Sequence, residues 1–390
     1  MATTNEAAPN RLLSIDALRG FDMFWIMGGE DLATALAVCL GWSFKDQVKT
    51  QFQHAPWDGF RFYDLIFPLF LFIVGVVLPF SLGKIRDAGE SKKSSYWRIL
   101  RRTLLLLAFG LIYNNMDGTL TLRDFGELRT VGVLQRIALA YCFAGIIVLN
   151  ARWLGQFLIA SFLLIGYWAL LTYIPSPEPA PADYFPRKVE AKYSMQGSLP
   201  GYIDRHYLPS KLNPSYYGLE EEAYGDNEGL LSTLPAIATA LLGALAGAWL
   251  RSTVSSWWKV LGLISAGGVS LAGGYYWDQF FPIIKNLWTS SFVLVAGGWS
   301  LLLLALFYMV IDVLKFRLWS FFFVVIGSNA IFIYMAPRFI EFKRIAHFFL
   351  DGLLGVMNKE PGRVLFLVGE LAIEWLLLLF LFRRRLFLRV

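Results

Sequence analysis

The stretch FRFYDLIFPLFLFIVGVVLPFSL, residues 60–82, decides the fold class of this chain. Its only charged residues are Arg61 and Asp64, and both lie near its start. About 20 predominantly apolar residues are enough for a helix to cross the hydrocarbon core of a bilayer. We therefore predict a membrane-spanning helix in this stretch.

The composition extends this prediction to the whole chain. Of its 390 residues, 56% are hydrophobic and only 16% are charged, whereas soluble domains carry about 25% charged residues. Such a chain cannot cover a water-facing surface, which excludes a soluble enzyme, a disordered protein and a nucleic-acid binder. We predict an all-α, polytopic membrane helical bundle. Apolar windows of spanning length lie at about 15–40, 60–83, 99–114, 131–150, 153–174, 229–250, 257–277, 287–311, 318–337 and 361–382, which gives ten helices.

One further segment, residues 338–359, mixes charged residues with aromatics and leucines. It could form an eleventh span, but an amphipathic helix lying in the membrane interface fits its charges better.

The positive charges predict the orientation. Lysine and arginine are retained on the cytoplasmic side, and here they cluster in residues 83–102 and 383–389. With ten spans, both termini are predicted cytoplasmic. Residues 1–10 then form a short cytoplasmic tail, and residues 11–390 form a single transmembrane domain with a large extracytoplasmic loop at about 175–228.

The N-terminal sequence and the N-glycosylation acceptor pattern indicate which membrane the protein resides in. The N-terminus lacks the layout of a removable signal peptide, so the first helix is expected to act as an uncleaved anchor. No Asn-x-Ser/Thr acceptor with x other than proline occurs, which favours a bacterial inner membrane.

The long loop at 175–228 begins with a proline-rich stretch and ends in a polar, acidic one. A connection of this length is uncommon and often functional. It is either a solvated cap over the helices or a lid that contacts a cationic or polyhydroxylated substrate.

Charged residues inside spans are costly, and they are functional candidates by default. The first predicted helix contains the run Gly28-Gly29-Glu30-Asp31. Glycine relaxes helical order, so this half of the helix is expected to border a hydrated, protein-lined cavity with Glu30 as a candidate site residue. The alternative is that the helix ends near Gly28 and leaves Glu30 at the water interface.

His54 is one of three histidines in the chain and lies ten residues before Asp64. Histidine can accept and return a proton near neutral pH, and a carboxylate can orient its ring and stabilise its charged form. The loop must fold back for the two side chains to meet. A single histidine in a loop is more often structural than catalytic, so both roles stay open at this point.

A third set of candidates is basic. Arg11 and Arg19 flank the cytoplasmic end of the first helix, and Arg136 lies inside an apolar segment. Arginine suits phosphate because its planar fork donates two hydrogen bonds at once. The competing role for Arg136 is an ion pair with Asp16, Asp64 or Asp124. The two cysteines cannot form a cysteine metal site, and no phosphate-binding loop, dinucleotide or zinc motif is present. We predict no metal.

Six motifs together resemble a known family. They are RLLSIDALRG at 11–20, HAPWDGFRFYDLIFPLFLFIVG at 54–75, GVLQRIALAY at 132–141, GYIDRHYLP at 201–209, DNEGLLSTLPAIATALLGALAG at 226–247 and NLWTSSFVL at 286–294. In this order they resemble the heparan-α-glucosaminide N-acetyltransferase family, including its bacterial relatives, over about residues 11–340.

The resemblance implies a membrane enzyme that moves an acetyl group from cytoplasmic acetyl-CoA, its co-substrate, to an amino sugar or polysaccharide on the other side of the lipid bilayer. The family's active-site histidine falls on His54, as base or transient acetyl carrier, and its partnering aspartate falls on Asp64. The resemblance places Arg11, Arg19 and Arg136 near the CoA phosphates.

One position departs from the family. Glu30 stands where relatives usually carry an asparagine near the acetyl group, so the choice of acceptor or the reaction itself can differ. Glu30 could bind a cationic amino sugar or act as a second base.

Two other classes of protein remain as alternatives. A transporter of a sugar or organic anion without CoA chemistry would equally use intramembrane charges and a broken helix. A scaffold subunit whose acidic loop binds a partner would not need the family-like spacing. The sequence leaves the oligomeric state open, a homo-oligomer included.

Overall fold

The computed structural model describes residues 12–116, 128–178, 189–194, 196–208 and 225–388. All regular elements in these ranges are helices. The first half of the chain forms α1 (Leu13–Phe24), α2 (Glu30–Cys39), α3 (Lys45–Gln51), α4 (Ile66–Asp87), α5 (Lys93–Asn115), α6 (Val133–Asn150), α7 (Trp153–Tyr173) and α8 (Leu199–Tyr207). The second half forms α9 (Thr233–Arg251), α10 (Ser256–Trp277), α11 (Ser290–Phe307), α12 (Ser320–Ser328), α13 (Ala330–Met335), α14 (Phe342–Leu354) and α15 (Lys359–Arg383).

The predicted class, an all-α multi-pass membrane bundle, is confirmed. Within the described ranges, six helical stretches are long and apolar enough to cross a membrane, and a seventh span results if α12 and the bent continuation after it count as one. The predicted count of ten is not confirmed. Three of the predicted windows are less suited to cross the membrane as one apolar helix. The window at 15–40 is broken into two helices, and α5 begins with several basic residues. Glycine, tyrosine and tryptophan make α10 less apolar.

The segment after the bent pair contains α14, which has 13 residues. Because a span needs about 20 residues, α14 is too short to cross the membrane alone. Its length agrees with an amphipathic helix in the interface.

The break in the first segment lies at residues Trp25–Gly29, which form a π-helical turn. Gly28 there has φ +118°, a backbone conformation that glycine adopts without a steric penalty. Regular helical geometry is therefore interrupted at Gly28, and the chain continues into α2 from Glu30. Such π turns are frequent at functional sites.

Helices α4 and α9 pack backbone against backbone in the centre of the bundle. A Cβ atom added at Gly75 of α4 would overlap the carbonyl of Ala240 in α9, and one added at Gly243 would overlap the carbonyl of Phe72. Small residues permit this close approach, which is the usual means of helix association inside membranes. The crossing holds the start of α4, and therefore Asp64, at a fixed position.

We expect the Gly243→Leu variant to be destabilised by at least about 1–3 kcal/mol, because the new side chain overlaps main-chain atoms that cannot move alone. Thermal unfolding of the detergent-solubilised protein measures this effect. Gly268→Leu is the matched control, since a Cβ there meets nothing within 4 Å. Equal melting temperatures for the two variants would contradict the assigned crossing.

Candidate active site

The loop before α4 folds back on the carboxylate of Asp64. His54 Nδ1 lies 2.8 Å from Asp64 Oδ1. The other carboxylate oxygen accepts the backbone N–H groups of Ala55 at 3.1 Å and Arg61 at 3.0 Å. Asp64 is fully buried, so these bonds replace the water it lost on folding. The structure thus brings His54 and Asp64 together.

Lys285 completes this group, and the sequence reasoning missed it. Its Nζ lies 2.9 Å from His54 Nδ1, 3.1 Å from Nε2 and 3.7 Å from the carboxylate of Asp64. The loop that carries it is joined to the histidine loop by a hydrogen bond from the Gly59 N–H to the Ile283 carbonyl. The only feature of the sequence that pointed towards Lys285 was the motif at 286–294, which begins one residue after it.

Burial lowers the pKa of the Lys285 ammonium below its usual range, while the carboxylates of Asp64 and Glu228 oppose the shift. Lys285 is therefore a more ready proton donor than an exposed lysine.

Tyr63 connects the histidine to Glu30. Its ring lies against the imidazole of His54, with 4.9 Å between ring centroids. Its hydroxyl donates to Glu30 Oε1 at 3.2 Å. Glu30 is therefore one side chain away from His54 rather than in contact with it.

The DNEG segment at 226–229 forms another wall of the site. Arg129 binds both carboxylate oxygens of Asp226, at 2.7 and 3.0 Å, and reaches Glu228 at 2.9 Å. Burial raises the pKa of Glu228 to about 6, with Asp226 adding to the rise and Arg129 opposing it. Asp226 is thus part of a structural ion pair, whereas Glu228 faces the site.

These groups surround a cavity of about 230 Å³, here called the central cavity. The polar side chains that line it are His54, Tyr63, Asn227, Glu228, Lys285 and Tyr334. The remaining lining residues are apolar. A mostly apolar cavity with a few converging polar groups is typical of a small-molecule site.

A larger space of about 690 Å³, here called the basic cavity, adjoins the central cavity. The two share four lining residues, all apolar: Phe70, Leu134, Ile137 and Ile331. The polar residues that line the basic cavity are Asp16, Arg19, Ser81, Lys84, Arg102 and Ser328. Lys84 and Arg102 belong to the basic segment 83–102, which is predicted to be cytoplasmic.

Arg102 is a second residue that the sequence reasoning did not single out as a site residue. Its guanidinium lies over the ring of Tyr141 at 4.4 Å. Its buried Nε has no hydrogen-bond partner among the described residues, and the residue lines the basic cavity. The sequence signal was weak because Arg102 belongs to a basic run that also sets topology.

The three predicted arginines fall in different places. Arg11 lies outside the described residues. Arg19 lines the basic cavity. Arg136 is buried, donates to Ser232 Oγ and to the Gly229 carbonyl, and lies over the ring of Trp288 at 4.8 Å.

In the described part of the chain, Arg136 lines neither the basic nor the central cavity. It supports the turn after the DNEG segment instead. Asp124, one of its predicted partners, lies outside the described residues, as does much of the long loop predicted to be a cap or lid. Among the described residues, no group of three or more His, Cys, Asp or Glu is placed to hold a metal ion.

Comparison with known proteins bears on this site. A family model described as a domain of unknown function (DUF5009) matches residues 11–151. The chain is 29% identical to the heparan-alpha-glucosaminide N-acetyltransferase of Homo sapiens over 379 residues, which is 86% of this chain and 54% of that protein. For the Mus musculus protein of the same name the identity is 28% over 382 residues, which is 87% of this chain and 55% of that protein.

The chain is thus similar to these acetyltransferases over most of its own length. The resemblance seen in the six motifs is therefore confirmed, and it covers most of the chain. The chain spans about half the length of the curated relatives it matches.

We expect Asp204, which holds the DNEG segment, to make stability depend on pH. Its carboxylate accepts the N–H groups of Asp226 at 3.2 Å and Leu230 at 3.0 Å, and burial raises its pKa to about 6. The folded chain then holds this proton more tightly than the unfolded chain, so stability falls as pH rises from about 4 to about 6.

The Asp204→Asn variant lacks this ionisation. Its melting temperature relative to wild type should therefore rise across that pH range, as followed by thermal unfolding in detergent. Glu90→Gln, at an exposed position, is the control. A melting-temperature difference that stays constant or falls would contradict the assignment.

Proposed function

We propose that this protein is a membrane acetyltransferase that moves the acetyl group of cytoplasmic acetyl-CoA to an amine of an amino sugar or glycan on the extracytoplasmic side. The observation that supports this most is the pair of adjoining cavities, one lined by Arg19, Lys84 and Arg102 and the other by His54. Acetyl-CoA has phosphates at one end, which suit the basic cavity, and a thioester at the other end, which suits the cavity of His54. The relatives named N-acetyltransferases support the same class of reaction.

The basic cavity would hold the nucleotide end of acetyl-CoA. Arg19, Lys84 and Arg102 offer donors and positive charge to its phosphates. The pantetheine arm is narrow and would pass between the four shared apolar side chains into the central cavity. Arg11 stays a proposed phosphate ligand on the resemblance alone, and Arg136 would act by supporting the turn beside the site.

His54 would perform the proton transfer. With Nδ1–H donated to Asp64, Nε2 carries the lone pair that accepts a proton; Lys285 Nζ, 3.1 Å away, would have to move off this atom when substrate binds. In direct transfer, the acceptor nitrogen attacks the thioester carbon and gives a proton to Nε2. The C–S bond then breaks and the CoA thiolate takes that proton.

In two-step transfer, Nε2 itself attacks the thioester carbon, and CoA leaves as the thiolate. The acceptor nitrogen then attacks the acetyl carbon, the bond to Nε2 breaks, and the amine proton passes to the thiolate. In both routes Asp64 orients the ring and stabilises its positive charge.

Lys285 would assist at the carbonyl oxygen. Its Nζ lies within 3.1 Å of Nε2, so it can also reach a thioester bound at that nitrogen. An ammonium there would stabilise the negative charge that develops on the oxygen. Glu30, joined to the site through Tyr63, would bind the acceptor amine or act as a second base.

The two cavities would face opposite sides of the membrane. The basic cavity would open to the cytoplasm, and His54 would lie towards the other side. Both termini would be cytoplasmic, in a bacterial inner membrane.

We expect His54→Ala to lower acetyl transfer from acetyl-CoA to glucosamine by about 10²–10⁴-fold, because general acid–base assistance contributes that much. Asp64→Asn should also lower the rate, since it removes the charge that stabilises the imidazolium. His206→Ala, at an exposed histidine outside the cavities, is the control.

The assay uses purified protein in detergent and measures acetylated product. An unchanged rate for His54→Ala would remove this residue from the mechanism. Acetyl label retained on wild-type protein without acceptor, and absent from His54→Ala, would select the two-step route. Substrate uptake into liposomes with no acetyl-CoA binding would favour the transporter instead.

We expect Arg102→Gln to raise the KM for acetyl-CoA about tenfold or more while changing kcat little, because it removes a phosphate contact remote from the acetyl group. Arg152→Gln, at an exposed arginine outside the basic cavity, is the matched control. Equal KM values in the two variants would contradict the placement of the phosphates.

A further inference from the structure

A third cavity lies on the other side of the central one. It measures about 720 Å³, and it lies between the break after α1 and helices α14 and α15. It shares Met23, Ile26 and Tyr334 with the central cavity. We call it the acidic cavity because Glu30, Glu370 and Glu374 line it.

Glu374 is the unusual member of this group. It lies in the apolar helix α15 and is only 3% exposed. Its Oε2 atom has no hydrogen-bond partner among the described residues, and the same is true of Glu30 Oε2. A buried, unpartnered carboxylate in a membrane helix is costly, and a ligand in the adjoining cavity that supplies a donor would relieve that cost.

The other charged residues of the cavity do not satisfy Glu374. Asp31 lies 3.8 Å from Arg363, and Glu341 lies 3.6 Å from Arg344. His347, on α14, contacts Asp351 at 2.7 Å.

Lys343 also lines the cavity. No ion pair joins it to Glu370 or Glu374 in the described part of the chain. Glu370 lies one helical turn before Glu374, so the two carboxylates lie on the same face of α15. Lys343 and His347 interact electrostatically with Glu370, whereas the charged neighbour of Glu374 is Glu370 itself.

Two aromatic residues also line the acidic cavity. Tyr113 and Tyr334 stack with 4.6 Å between ring centroids, and both line the cavity. The cavity therefore combines paired carboxylates with two aromatic side chains. That combination matches a compound that has a primary ammonium group on a ring.

We propose that the acidic cavity binds a primary ammonium compound through Glu370 and Glu374 and holds it next to the chamber of His54. The proposal rests on the proposed function, in which such a compound is the acetyl acceptor. Glu30 would complete the path, because Tyr63 joins it to the ring of His54. Glu370 and Glu374 would thus be acceptor-binding residues that do not touch the thioester.

The test measures binding of glucosamine and benzylamine to the purified wild-type protein by calorimetry, without acetyl-CoA. N-acetylglucosamine, which has no ammonium group, serves as the neutral probe. We expect at least one amine to bind and the neutral sugar to bind at least tenfold more weakly. Failure of both amines to bind would overturn the proposal.

The variants then locate the site. Glu374→Gln and Glu370→Gln should each weaken amine binding at least tenfold, and Glu374→Asp should retain part of it. Glu360→Gln, at an exposed position on the same helix, should bind as wild type does. Acetyl-CoA binding, measured separately, should stay within about twofold of wild type in all four variants.

Two results would count against the site. Unchanged amine binding in both glutamine variants would place the amine elsewhere. Equal losses of amine and acetyl-CoA binding, with a lowered melting temperature, would mean that the two glutamates have a structural role. Absence of acetyl-CoA binding in wild type, with amine binding intact and sensitive to Glu374→Gln, would overturn the proposed transferase and leave the amine site standing.

Discussion

The arrangement around His54 depends on how a single buried carboxylate is satisfied. Asp64 is removed from water, and a carboxylate in that position must find hydrogen-bond donors within the protein. It finds two of them in the backbone of the preceding loop and a third in the imidazole ring. The same bonds therefore fold the loop and aim the histidine. Because Asp64 lies in the turn that leads directly into α4, the position of His54 is tied to the central crossing of α4 and α9.

The three cavities form a series in which charge changes sign. The basic cavity contains arginine and lysine, the central cavity contains a histidine between acid and lysine, and the acidic cavity contains unpaired glutamates. An anionic carrier would be favoured at one end and a cationic acceptor at the other. Their reacting groups would then meet in the middle. Each substrate would also be disfavoured in the other's chamber, so the series could give specificity as well as affinity.

The parts of this picture that the sequence could predict are those that depend on local pattern. The apolar runs predict membrane helices because the bilayer imposes one length and one polarity on them. The contact between His54 and Asp64 was foreseeable because ten residues separate them and a loop can close over that distance.

Other features depend on long-range packing. Lys285 meets His54 across 231 positions, and only the docking of two loops brings it there. The charge of Arg136 predicted an anion or an ion pair, whereas the fold gives it a hydroxyl, a carbonyl and the face of Trp288. The predicted count of ten spans is not confirmed for a physical reason: an apolar window in the sequence does not reveal a bend in the helix.

The four apolar side chains between the basic and central cavities have a consequence for the membrane itself. A bundle hollowed from both ends risks letting protons and ions leak down their electrochemical gradients. Phe70, Leu134, Ile137 and Ile331 line both cavities, and an apolar constriction at that boundary would block ions by excluding water. The protein could then be open to solutes on either side and still insulate the bilayer.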